Sequence, residues 1–157
     1  MATREELIQG FEFTVQQAKR TTSLYAEGEW DAARASGWTP KQVYCHLATL
    51  ALAVPQLAQG LEGASESTDI TQGIDINQMN DQAVAAMAGM DPTQVLLAFE
   101  ANYGKLIEFV KAMPDDQLQA KRSFLSDPIP VSDILANSIM LHGIHHVYEA
   151  SARFGAP

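Results

Sequence analysis

The stretch WTPKQVYCHLATLALAVPQLAQGLEG, residues 38–63, holds a complete helix signal and one of the chain's four histidines. Thr39 can cap the helix, Pro40 suits the first helical position, where a missing N–H costs nothing, and Gln42 can close a capping box. Val43, Leu47, Leu50, Val54, Leu57 and Leu61 then recur at helical spacing, and Gly63 ends the run. Pro55 removes one backbone hydrogen bond and is expected to bend this helix. His46 lies three residues after Val43 and four before Leu50, at the edge of the stripe, so it is expected to face the interior.

The same pattern recurs on both sides of this segment. Residues 3–26 carry Leu7, Phe11, Val15, Ala18, Thr22 and Tyr25 on one face, with Thr3 and Glu6 placed as a capping box. A polar linker, EGASESTDITQG, precedes a shorter helix around Ile76, Met79, Ala83 and Met87. Asp91-Pro92-Thr93-Gln94 repeats the capping logic and opens a long helix with Leu96, Phe99, Tyr103, Leu106, Val110 and Met113 inward, stopped by Pro114-Asp115-Asp116. SFLSDPIPVSD, with two prolines, reads as a loop leading to a last helix from about Val131 to Phe154. No stretch alternates strictly enough for a strand, and there is no internal repeat. The reading is an all-α, up-and-down-type four-helix bundle with one additional short helix, one domain over residues 1–157.

Composition limits what such a bundle does. The chain of 157 residues is 46% hydrophobic and 18% charged, a balance that folds rather than staying disordered. Its net charge of −9 opposes a phosphate backbone, and its ten Lys and Arg residues are scattered, so nucleic acid is not an expected partner. No apolar run approaches the roughly 20 residues of a membrane span. The N-terminus MATREELIQGF has no signal-peptide apolar region, which reads as cytoplasmic. The single cysteine, Cys45, permits no internal disulfide and fits a reducing compartment.

The other three histidines crowd into LHGIHHVYEA, residues 141–150. Leu135, Ile139, His142 and His146 fall at i, i+4, i+7 and i+11, so two histidines continue a stripe that begins as core. A pair at i and i+4 can converge on one metal ion, and His46 from a neighbouring helix can supply a third nitrogen. Three neutral imidazoles with an open fourth position are the pattern of a reactive metal site. Glu149, three residues after His146, is placed to orient a ligand histidine or a bound water. His145 points about 100° away from His146 and reads as a boundary residue. Cys45 points away from His46 and is not expected as ligand or nucleophile.

At these residues the chain resembles the DinB or YfiT-like metal-binding four-helix bundles, which include the N-terminal domain of mycothiol-dependent maleylpyruvate isomerase. The family's Trp-Ser/Thr and His-Leu segment at the start of the second helix is matched by Trp38-Thr39 and His46-Leu47. Its His-x-x-x-His on the last helix is matched by His142 and His146 within HGIHH. The segment MNDQAVAAMAGMDPTQVLLAFEANYGKLIEFVKAMPDDQL looks like the family's middle portion, where an asparagine near the start of a short helix precedes a capped long one. Many relatives follow the last histidine with Arg-Gly-Gln, where this chain has Val147-Tyr148-Glu149. The mycothiol enzymes also carry a C-terminal domain that a chain of this length does not include.

The resemblance implies one divalent metal, zinc or nickel, held by His46, His142 and His146. It also implies transfers or isomerisations that use a low-molecular-weight thiol as cosubstrate. A metal with an open position favours the thiolate of such a thiol, so a transferase would need no cysteine of its own. The same acidity acting on water would make the protein a hydrolase. The reading from a different class is a non-catalytic, stress-associated metal-binding protein that acts as a homodimer, since bundle helices with broad apolar faces often pair.

Overall fold

Local sequence chemistry sets the ends of the helices before any packing does. In the computed structural model the described residues are 1–59, 69, 73, 75–123 and 127–152, without the side chains of 55–59. Helix α1 (Arg4–Thr22) starts at Thr3, whose hydroxyl accepts from Glu6 N–H while the Glu6 carboxylate accepts from Thr3 N–H, the expected box. It stops at Thr22, a few residues before the expected end, and a 3₁₀ turn at Glu29–Asp31 follows. Helix α2 (Pro40–Gln59) opens with the Thr39–Gln42 box, Thr39 N–H donating to Gln42 Oε1 at 2.9 Å. Helix α3 (Ile76–Met87) is capped by Asp75, and α4 (Pro92–Ala112) by the reciprocal Asp91–Gln94 box. The side chains of Pro55 and Leu57, and the positions of Leu61, Gly63, most of the 62–73 linker and Phe154, lie outside what is described.

Beyond α4 the structure adds detail that periodicity does not carry. A one-turn helix α5 (Asp115–Gln119) follows Pro114, and β1 (Lys121–Arg122) pairs antiparallel with β2 (Ile129–Pro130). Residues preceding proline favour extended backbone, which places Asp127 and Ile129 in the conformation this short ladder needs. The last helix begins at Val131, as expected, but it is not uniform. Helix α6 (Val131–Leu135), a π-helical segment (Ala136–Leu141) and α7 (His142–Ser151) run on without a break.

The four long helices form the bundle the sequence predicts. Helix α1 packs against α4 and α7, and α2 packs against the same two, so α1 and α2 stand diagonally. The long connection through residues 23–39 spans that diagonal. Helix α3 lies on the outer side of α2. The core is a chain of rings: Tyr44 meets Phe99 at 5.3 Å, Phe99 meets Tyr103 at 4.5 Å, and Phe11 meets Tyr103 at 6.2 Å. Val43 through Ala48 are all buried, because α2 is covered on most of its circumference in this turn. Asn102 donates to the Ala48 carbonyl at 2.9 Å and ties α4 to α2. Arg4 ties the start of α1 to the end of α4 through the Val110 carbonyl and the Asp115 carboxylate. No helix among the described residues is long and apolar enough to cross a membrane.

One glycine sets how closely α7 approaches its neighbours. A Cβ at Gly143 would lie 2.4 Å from the Tyr103 hydroxyl and 3.2 Å from Thr14 Cγ2, and both of these side chains are fully buried. Gly104, on the exposed face of α4, has nothing within 4 Å. Gly143→Ala is therefore expected to destabilise the fold by about 1–3 kcal/mol through overpacking. Gly104→Ala is expected to stabilise it by up to about 1 kcal/mol through helix propensity. Urea denaturation of the two variants checks this pair, and equal effects would contradict the close-approach account.

Candidate metal centre

Helices α2 and α7 bring together the three histidines that the sequence nominates. His46 Nε2 and His142 Nε2 face each other at 2.9 Å. Ring centroids lie 4.4 Å apart for His142 and His146 and 5.3 Å apart for His46 and His146. One ligand atom from each histidine lies within 4.8 Å of the others, so the three can hold a metal ion. Two nitrogens on a tetrahedral ion with Zn–N bonds near 2.0–2.1 Å stand about 3.3 Å apart, close to the spacing already present between His46 and His142. The donor set fits a borderline-soft divalent cation.

The route to this geometry differs from the simple helical stripe. The core face of the last helix runs through Leu135, Ile139, Gly143, Val147 and Ala150, and His142 and His146 are half-buried beside it. Three successive steps of four residues drift off one face of a regular helix of 3.6 residues per turn. The π-helical segment Ala136–Leu141 supplies the extra residue and rotates α7 relative to α6. His142 and His146 thus leave the leucine-like positions and turn toward α2, while Gly143 takes the place against Tyr103.

The electrostatics keep the cluster ready to coordinate. Burial, then the neighbouring His142 and His146, pushes the His46 pKa down to about 4, against a hydrogen-bond contribution from Asn80 that raises it. Burial and the other histidines push His142 down to about 4 as well. Burial also lowers His146, with Glu149 working in the opposite sense. At neutral pH the three rings are uncharged and need lose no proton charge to bind a cation.

Glu149 links the cluster to the loop before α2. Its Oε2 sits 3.1 Å from His146 Nδ1, and its Oε1 accepts from Ser36 N–H at 3.2 Å. Burial raises the Glu149 carboxyl, but hydrogen bonds from Ser36 and His146 outweigh it and hold it below the usual range. A carboxylate there keeps the Nδ1–H tautomer and leaves His146 Nε2 free. The segment before α2 is itself anchored on α7: Arg34 Nε and the Tyr25 hydroxyl both donate to the Ala150 carbonyl, at 3.0 and 2.7 Å. That segment carries Trp38, which meets His46 edge-on at 5.3 Å and lies parallel to His146 at 6.2 Å.

His145 is exposed, with its ring 5.3 Å from that of His146. His145, His146 and Glu149 form a second group within ligand reach, but using His146 Nδ1 there would break its bond to Glu149. Cys45 is buried and outside both groups, and burial pushes its thiol pKa up. Sequence reasoning missed Ser36, Arg34 and Asn80 as partners of the site. Nothing in their spacing signals a loop or helix contact of this kind.

In the unfolded chain these imidazoles titrate near 6.5. With folded values near 4 for His46 and His142, the folded state binds fewer protons across that interval. The stability this confers is present above pH 6.5 and is lost as pH falls toward 4. The Tm of metal-free protein is expected to fall progressively through that window. His142→Gln should flatten the slope, and a Tm independent of pH there would contradict the account.

A family model described as the mycothiol maleylpyruvate isomerase N-terminal domain matches residues 14–147. No curated protein sequence matches the chain. Among solved structures, the crystal structure of a mycothiol-dependent maleylpyruvate isomerase superposes with a TM-score of 0.75 at 17% identity, covering 97% of this chain and 62% of that one. A histidine-to-alanine mutant of that isomerase superposes at 0.70 and 16% identity, covering 99% of this chain and again 62% of the other. This chain therefore spans less than two thirds of the length of those enzymes. YfiT from Bacillus subtilis, described as a probable metal-dependent hydrolase with an unusual four-helix bundle topology, superposes at 0.67 and 21% identity, covering 96% of this chain and 86% of its own. These likenesses show a shared fold, a four-helix bundle in YfiT as here, and the family match extends over most of the sequence: the chain belongs to the mycothiol maleylpyruvate isomerase N-terminal domain family.

Proposed function

We propose that His46, His142 and His146 hold one divalent metal ion, zinc or nickel, and that this centre activates a low-molecular-weight thiol for transfer to an electrophile. The observation that carries the metal reading is the convergence of three uncharged imidazoles from two helices on one point. A divalent ion with an open position would supply Lewis acidity there, favouring the thiolate of a small thiol or, acting on water, favouring hydrolysis. Glu149 holds the His146 ring in the ligating tautomer, and Trp38 covers the cluster from the side of the loop before α2. Cys45, buried and with its pKa raised, is a poor nucleophile, which supports a thiol supplied from outside.

Hydrolysis is the second reading, because the same open position on the ion would favour the hydroxide form of a bound water. The description of YfiT as a probable metal-dependent hydrolase points the same way. A centre that binds metal without turnover is the remaining alternative.

Titrating metal-free protein with Ni²⁺ should quench Trp38 fluorescence with a one-to-one endpoint. Alanine at His46, His142 or His146 should weaken binding by more than about tenfold, because two imidazoles make a much poorer site than three. His145→Ala should bind as wild type. Turnover of a model electrophile should need both metal and an added thiol and should survive Cys45→Ser. Turnover without thiol would move the assignment to hydrolysis, and rates indifferent to chelation or to His142→Ala would overturn a catalytic metal centre.

A further inference from the structure

Helix α3 stands beside the histidine cluster, yet the metal reading gives it no task. It packs on the outer side of α2, anchored there by buried Ala83 and Met87, and presents half-buried Asn80 to the cavity that His46 also lines. His46 already turns Nε2 toward His142 at 2.9 Å, so the ring nitrogen left for any other partner is Nδ1. We propose that Asn80 Oδ1 accepts the Nδ1–H of His46, fixing the tautomer whose bare Nε2 faces the metal position, so that α3 acts as a positioning element for the centre.

The arrangement parallels the other end of the cluster. Glu149 takes the Nδ1–H of His146 on one side, and Asn80 takes that of His46 on the other. The chemical difference is charge. His46 is 5% exposed, and an amide oxygen orients its ring without burying a carboxylate beside it. In the metal-free protein the same bond assigns the close contact: His46 Nε2 accepts, and His142 donates from Nε2–H.

This role rests on the metal-centre reading, and the test separates the two. Metal-free, ¹⁵N-histidine-labelled protein is examined by long-range ¹H–¹⁵N correlation, and the same samples are titrated with Co²⁺. Wild type should show His46 as a single Nδ1–H tautomer. Asn80→Ala should introduce the Nε2–H form and weaken Co²⁺ binding by about 10–100-fold. Asn80→Asp, which restores an acceptor, should recover the tautomer and most of the affinity. Asn77→Ala, an exposed position on the same helix, should match wild type. An unchanged tautomer and affinity in Asn80→Ala, or an Asn80→Asp variant as weak as the alanine, would overturn the proposal. If wild type fails to bind Co²⁺, the metal reading falls while the tautomer of His46 still decides the role of Asn80.

Discussion

Two uncharged imidazole nitrogens face each other at 2.9 Å across the seam between α2 and α7, and the rest of the molecule is arranged to hold them there. Protonating both would put two like charges into a half-buried cluster, which is why burial and mutual repulsion keep both rings neutral at ordinary pH. The seam depends on backbone geometry on both sides. On α2, the turn from Val43 to Ala48 is enclosed on nearly every side. On α7, the absence of a side chain at Gly143 lets the helix settle against Tyr103 and Thr14. Moving α7 outward by the width of a methyl group would separate the two rings.

Much of this was legible in the sequence, because caps and periodicity are local. Thr3–Glu6, Thr39–Gln42 and Asp91–Gln94 each announce a helix start by residues three apart, and the structure realises all three boxes. His46 could be placed on the interior face by its distance from Val43 and Leu50. The π-helical segment was not legible: the 3.6-residue period assigns His142 and His146 to the core line, whereas the wider turn gives that line to Gly143 and Val147. The convergence of the histidines was anticipated with the wrong register as its reason. Ser36, Arg34 and Asn80 were missed because they meet the cluster through tertiary contacts, which no spacing along the chain encodes.

Fold and chemistry stand on different footings in such a family. The bundle is shared with enzymes and with a probable hydrolase at identities where likeness establishes architecture alone. What this chain contributes in its own right is a cluster of converging rings with its own supports: Glu149 meets His146 Nδ1 and is itself held by Ser36, and Asn80 on α3 borders the same cavity as His46. Such partners orient ligands and sharpen the metal preference of a site. The aromatic cover from Trp38 limits what can approach the cluster from that side.

X-ray absorption at the metal edge of zinc- or nickel-loaded protein tests the central claim most directly. Three imidazoles on one ion predict three nitrogen scatterers at about 2.0–2.1 Å for zinc, with the multiple scattering of histidine rings and one further light ligand. A sulfur scatterer near 2.3 Å would bring Cys45 into the site, and a shell with fewer than two imidazoles would show that the ion sits elsewhere. Either result would contradict the three-histidine centre.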